Sequence, residues 1–223
     1  MNDGRTHDGQ IQKFDAFLNH PAPGEKPAAR ATDKHKSKFI RGDSLMATYY
    51  EPQIQVVRNL IAQGLTVLAG SPKVGKSFLM LDAVHSVAKC EPFLGRDVTP
   101  GDVLYLALED SEARLQRRSR ELGHTESTSR LSFLLEAPTI QNGLLSTLEE
   151  WIEEVSEPRL IVIDTLQRVR GINTSRDVYG ADYQVLHTLK AFADKHRLAI
   201  VAIHHLAKPT LAQRGGDVFD RIS

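Results

Sequence analysis

Thr66-Val-Leu-Ala-Gly70-Ser-Pro-Lys-Val-Gly75-Lys76-Ser77 runs from an aliphatic stretch into a glycine-bounded loop. Residues Gly70 to Ser77 fit G-x-x-x-x-G-K-[ST] in full. An apolar run of strand type (TVLAG) precedes the loop, and a helical pattern (KSFLMLDAVHSVAK) follows it. That order is what a phosphate-binding loop requires. The glycines let the backbone curl so that successive N–H groups face phosphate oxygens, and the following helix adds the positive end of its dipole. Gly70, Ser71, Pro72, Lys73, Val74 and Gly75 form the cradle. Lys76 is expected to reach the β- and γ-phosphates of ATP, and the Ser77 hydroxyl to ligate Mg2+.

Outward from this loop, short aliphatic runs alternate with helical patterns. Strands are expected at Leu65–Ala69, Val103–Leu108, Leu131–Leu135, Leu160–Ile163 and Ala199–Ile203, as runs buried on both faces of a parallel sheet. Leu144, Leu145, Leu148, Trp151, Ile152 and Val155 mark one helical face; Val185, Leu186, Leu189, Phe192 and Ala193 mark another. A third helix follows Lys76, with Phe78, Leu79, Leu81, Val84 and Val87 as its apolar positions. The alternation predicts an α/β fold, a mainly parallel sheet flanked by helices on both faces.

A phosphate loop needs an acidic partner at the end of a neighbouring strand. Leu160-Ile-Val-Ile-Asp164 supplies one, and Asp164 is expected to hold the magnesium, partly through water. The next residue is Thr165, where many ATPases carry their general base, so any base must come from another strand. Val103-Leu-Tyr-Leu-Ala-Leu108 ends in Glu109-Asp110. A carboxylate at the carboxyl end of a parallel strand faces the ligand crevice. Glu109 is therefore the candidate base for polarising the attacking water, and Asp110 is read as an acidic cap of the next helix. Ala199-Ile-Val-Ala-Ile203 ends in His204-His205. Two adjacent histidines cannot both face one crevice, so at least one is expected to sense the γ-phosphate. The Asn-Lys-x-Asp signature of a GTPase is absent, and Gln167 stands where a GTPase places glycine after the acid. A small-molecule kinase would leave Glu109 and the histidines without a task.

The composition is that of a globular chain: 223 residues, 41% hydrophobic and 25% charged. Twenty-eight basic residues match 28 acidic ones, so net charge gives no sign of a nucleic-acid partner. A single cysteine excludes an internal disulfide framework and a cysteine-based zinc site; Cys90 is expected to pack in an apolar helix. No run approaches the ~20 apolar residues that span a bilayer, and no apolar signal region opens the chain, so a cytoplasmic location without membrane contact is expected. Residues 1–45 read as a flexible polar tail with a short apolar face at Ile11, Phe14, Phe17 and Leu18. Lys34, Lys36, Lys38 and Arg41 solvate it, and the core is expected over residues 46–223. Arg114, Arg117, Arg118 and Arg120 read as a solvated helix face.

GLTVLAGSPKVGKS, VLYLALED, LIVIDTLQRVR and LAIVAIHHLAK, in this order and spacing, resemble the RepA-like hexameric helicases among the RecA-like ATPases. The similarity spans roughly residues 50 to 220. It implies that the 199–203 strand lies between the phosphate-loop strand and the Asp164 strand. It also implies Glu109 as base, Asp164 as the magnesium acid, and His204 or His205 at the γ-phosphate. Members of the family move on single-stranded DNA as homo-hexameric rings in plasmid, phage or mobile-element replication. Two loops would then face DNA, one within Arg170–Gly180 and one through Lys208 and Arg214-Gly215-Gly216. Family members continue with more strands and an arginine finger, so the core reads as truncated at its C-terminus, with the Leu65–Ala69 strand as an open sheet edge. The competing expectation is a nucleotide-binding regulatory or assembly module without motor activity.

Overall fold

Five aliphatic runs assemble into one sheet, and its strand order sets where the chemistry falls. In the computed structural model, residues 39–126, 128–171 and 178–206 are described, with the backbone alone for 178–182. The sheet strands are β3 (Gly64–Gly70), β4 (Asp102–Ala107), β5 (Leu131–Leu134), β6 (Pro158–Asp164) and β7 (Ala199–His205). Their order is β3-β7-β6-β4-β5, and every pairing is parallel. The histidine strand therefore lies between the phosphate-loop strand and the Asp164 strand, as the resemblance implies. Among the described residues β3 pairs within this sheet only with β7, so it forms an edge.

Helices cover both faces. The first layer holds α2 (Lys76–Lys89) and α3 (Glu112–Glu121). Met80, Leu81, Ala83, Val84 and Val87 of α2 pack against Val103, Tyr105 and Ala107 of β4, with Leu160, Val162, Ala199 and Val201 beyond. The opposite layer is built from α4 (Leu144–Glu154), α5 (Leu166–Arg170) and α6 (Val178–His196). There Leu144, Leu148, Trp151, Leu189 and Phe192 meet Leu104, Leu106, Ile161, Ile163, Ile200 and Ala202. Odd and even residues of each strand go to different layers, as a pleat of period two demands. This is a RecA-like α/β fold.

Some features depart from the sequence reading. A two-stranded antiparallel ribbon, β1 (Gln55–Val57) and β2 (Ile61–Ala62), buries Val56, Val57 and Ile61 in the first layer. Strands of three and two residues carry too short a pattern to be read in advance, though Asn59, with φ 55°, marks the turn. Cys90 is exposed, not packed. It is the left-handed cap of α2, φ 61°, where the helix has ended and the side chain points outward. Leu79, at 38% exposure, lies off the buried face of α2.

The chain divides into two compact units between Tyr50 and Glu51. The N-terminal unit contributes the short helix α1 (Gly42–Ala47), on which Met46 is exposed. Lys34, Lys36, Lys38 and the apolar face at 11–18 lie outside the described residues.

Candidate active site

The turn from β3 into α2 gives the site its frame. Gly75 caps the helix in the left-handed region, φ 92° and ψ 7°, which a side chain rarely adopts. A substitution there would strain the loop even though a Cβ would meet open space. Lys76 follows and is buried to 7% exposure. Its Nζ donates to the carbonyls of Gly70 at 2.8 Å and Ser71 at 2.9 Å, and lies 3.3 Å from His205 Nδ1. That last contact asks for a tautomer with Nδ1 unprotonated, since an ammonium can only donate. Burial pulls the Lys76 ammonium below the ordinary lysine value, and the Asp164 carboxylate works against it.

Lys76 opens onto a cleft of about 510 Å³ whose walls include Pro72, Lys73, Gly75, Ser77, Glu109, Asp110, Asp164 and His205. Five of the residues singled out in the sequence, Lys76, Ser77, Glu109, Asp164 and His205, thus share one space. Val74 is 64% exposed and lines an adjoining hollow instead. His204 is not among the cleft residues: in a strand it projects from the face opposite to His205. The register sets the choice, with Gly70 opposite His205 and Ala69 opposite His204.

Asp164 ends β6 and is 6% exposed. Its Oδ2 accepts from the Tyr105 hydroxyl at 2.7 Å. Tyr105 is 1% exposed, and burial, then the Asp164 charge, push its phenol well above the usual tyrosine value. It stays a donor. Sequence reading passes over Tyr105, although it is the only polar side chain inside the aliphatic run Val103–Leu108. Thr165, also 1% exposed, donates its hydroxyl to Glu109 Oε1 at 3.4 Å.

Asp110 and the arginines correct the sequence reading. Asp110 makes no side-chain cap; the N-cap of α3 is Ser111, which makes none either. Instead Oδ2 accepts from Arg118 Nη1 at 2.5 Å, and Arg114 Nε lies 2.7 Å from Oδ1 as an ion pair without hydrogen-bond alignment. Arg118 is not a solvated residue: its side chain is 18% exposed and its guanidinium sits 4.9 Å from the Phe78 ring centroid. One helical turn brings Arg114 and Arg118 to the same side of α3, and both line the cleft.

Behind the loop, α2 and α3 are tied by polar groups. His85 Nε2 lies 2.9 Å from Ser119 Oγ, and its ring stacks on His124 at 4.2 Å and 11°. His124 Nε2 in turn meets Asp82 Oδ1 at 2.9 Å. Burial, reinforced by the charges of His124 and Lys89 and opposed by Asp82, pushes the His85 imidazole down to about 4.

A second groove, of about 1020 Å³, opens beyond Glu109 at the carboxyl ends of β4, β5 and β6. Glu136, Thr139, Gln141, Gln167, Arg168 and Arg170 stand on its walls. Of the two loops expected to face DNA, Arg170 ends α5, Gly171 follows it, and Val178–Gly180 belong to α6 and not to a loop; 172–177, Lys208 and Arg214–Gly216 lie outside the described residues.

The chain is similar in sequence and in fold to known proteins. The family described as an AAA domain matches residues 36–210. The chain belongs to the AAA domain family. It is 26% identical over 192 residues to the DNA repair protein RadA of two strains of Mycobacterium tuberculosis. That alignment takes in 84% of this AAA domain chain but 35% of RadA, so the chain spans about a third of the length of these curated relatives. A solved DnaB-like replicative helicase, described with its interactions with primase, matches 70% of the chain and 42% of its own. With a TM-score of 0.51 and 13% identity, that likeness speaks for the fold alone.

Proposed function

We propose that the chain is the ATP-hydrolysing core of a RepA-like helicase within the RecA-like ATPases, coupling Mg-ATP hydrolysis to contact with single-stranded DNA. The observation that carries it is the convergence of Lys76, Ser77, Asp164 and Glu109 on one cleft. The donor set suits magnesium. One buried carboxylate, oriented by Tyr105, stands with one hydroxyl, and a magnesium ion takes its remaining oxygens from phosphate and water. Among the described residues no group of three or more His, Cys, Asp or Glu forms a self-contained metal cage, consistent with a metal that arrives with its nucleotide. When bound, the ion would neutralise charge on the β- and γ-phosphates.

In this reading the backbone around Gly75 holds the phosphates and Lys76 exchanges its loop carbonyls for phosphate oxygens. Ser77 and Asp164 would hold the metal, and Glu109 accepts a proton from the water that attacks the γ-phosphorus as the bond to the bridging oxygen breaks and ADP leaves. His205, beside Lys76, reports the state of the γ-phosphate to β7. Neighbouring copies in a homo-hexameric ring would supply the arginine that completes the site. The curated relatives named for DNA repair support a role in DNA metabolism. Among the described residues no helix is long and apolar enough to cross a membrane.

The test is phosphate release from Mg-ATP with and without oligothymidylate. Wild type is expected to turn over faster with DNA. Lys76→Ala and Glu109→Gln should each lose about 100-fold or more. Full turnover in Glu109→Gln would remove that residue as the base. Tight nucleotide binding without hydrolysis would favour a non-motor regulatory module, and phosphorylated product in place of free phosphate would indicate a kinase.

A further inference from the structure

Glu109 stands on the wall of two spaces, the phosphate-loop cleft and the larger groove beyond it. Among the described residues it is the only one lining both. The side chain is exposed, so the protein matrix does not fix its aim. The contact that does bear on it is the Thr165 hydroxyl at 3.4 Å. This is long for a hydrogen bond between oxygens, a restraint easily lengthened or tightened.

Thr165 itself is anchored from behind. It is the N-cap of α5, and its carbonyl accepts the Arg168 N–H at 3.0 Å. Leu166 and Val169 seat the same helix in the second layer at 1% and 0% exposure. The outward side of this five-residue helix is different: Gln167, Arg168 and Arg170 all line the groove. The helix is thus one short lever, with the groove at its side and the Glu109 contact at its N-terminal end.

The groove carries two carboxylates, Glu109 and Glu136, and two arginines on α5, and it is this α5 side that suits the backbone of an unpaired nucleic-acid strand. Arg168 and Arg170 offer charge for a phosphate backbone, and the amides of Gln141, Asn142 and Gln167 offer donors and acceptors for base edges.

We propose that Thr165 is a positioning residue which aims Glu109, and that a single strand lying in the groove against α5 tightens that aim. This rests on the reading of Glu109 as the base and of DNA as the partner. It adds a defined route between them, running from Arg168 through α5 and Thr165 to the Glu109 carboxylate. The atoms of the hydrolysis are untouched; only the orientation of the group that takes the water's proton changes.

The test uses the full chain. Steady-state ATP hydrolysis with and without oligothymidylate is measured for wild type, Thr165→Val, Thr165→Ser and Glu109→Gln, and for Thr165→Val in the Glu109→Gln background. Binding of Mg-ATP and of labelled oligothymidylate is followed by fluorescence anisotropy. Thr165→Val keeps the shape and removes the hydroxyl. It should lower kcat about tenfold or more, leave KM and both affinities within about twofold, and bring the DNA-stimulated rate down to the basal one. Thr165→Ser should restore both rates, and Thr165→Val should add no loss to Glu109→Gln. In 13C-methyl-threonine spectra the Thr165 signal, assigned by its absence in Thr165→Val, should shift on oligothymidylate binding and in Glu109→Gln.

A wild-type kcat and stimulation in Thr165→Val, with Glu109→Gln inactive, overturns the inference and leaves Glu109 as base. Equal losses in the Val and Ser variants overturn it too, since the hydroxyl is then not the agent. An active Glu109→Gln overturns the underlying base assignment instead. A wild type that binds no oligothymidylate overturns the DNA reading and the response with it. The Val-to-Ser contrast and the Glu109→Gln shift of the Thr165 methyl then still decide whether Thr165 aims Glu109. A Thr165 methyl signal unmoved by Glu109→Gln overturns the aim itself.

Discussion

The two layers of the sheet are equally well buried and differently composed. The layer under α4, α5 and α6 has a large aliphatic core, Leu104, Leu106, Ile161, Ile163, Ile200, Leu148, Leu189 and their neighbours, with Thr165 as its buried polar residue. The layer under α2 and α3 has the same aliphatic background, yet Tyr105 belongs to it and His85 and Ser119 lie buried on its helices. Asp164 and His205 emerge from the strands with the parity of this layer. Most of the buried polar groups thus lie in one layer; the other adds Thr165, at the N-terminus of α5, whose hydroxyl reaches Glu109. Burying a polar group is costly unless it is partnered, so the concentration of partnered groups such as Tyr105, His85 and Ser119 on one face points to a task beyond packing.

Truncation in the apolar layer should give the largest effect. Leu189→Ala should cost about 2–5 kcal/mol in denaturant unfolding, with the affinity for Mg-ATP unchanged in the folded protein. A weakened nucleotide affinity would break the division between the layers.

The polar layer should answer to pH. His85 has a folded value of about 4, below the ordinary 6.5 of a free imidazole. Between those values the unfolded chain binds the proton and the folded chain does not, so stability is complete above about 6.5 and falls as the pH drops toward 4. The loss at the lower end is on the order of 3 kcal/mol. His85→Gln should flatten this part of the profile in urea titrations at pH 4.5, 5.5 and 7; an equally steep profile would assign it to other groups.

Tyr105→Phe probes the same layer most finely. It removes the donor to Asp164 and should cost about 1.5 kcal/mol of stability. It should also raise the magnesium concentration needed for half-maximal ATP binding, while Leu189→Ala leaves that concentration alone. Identical magnesium titrations for Tyr105→Phe and wild type would show that Asp164 needs no orientation.

The contrast also explains what can be read in advance. The five strands follow from continuous aliphatic runs and three of the flanking helices from spacing near 3.6. The loop at Gly70–Ser77 announces itself by its own spacing, and the five-residue α5 is too short to show a pattern. Asp164 is legible because it ends β6, and Glu109 because it lies just past the end of β4. Thr165 shows only as a missing glutamate, because a hydroxyl gains its meaning from the carboxylate it faces, 56 positions away. Arg118 looks like one of four arginines on a wet helix; only the folded position of Phe78 and Asp110 separates it from Arg117. Cys90 misleads because the apolar pattern runs on to the point where the helix stops.

The sheet's register has one more consequence. β7 is matched to β3 residue for residue from Gly64 opposite Ala199 to Gly70 opposite His205, without a bulge. Those seven rungs act as an index: they decide which of two identical imidazoles stands beside Lys76. A single residue added anywhere between Ala199 and Ile203 would advance the count by one. It would present the wrong histidine and turn the remaining aliphatic side chains of the strand over to the opposite layer. Loops around this sheet can change in length; this strand can change only in kind.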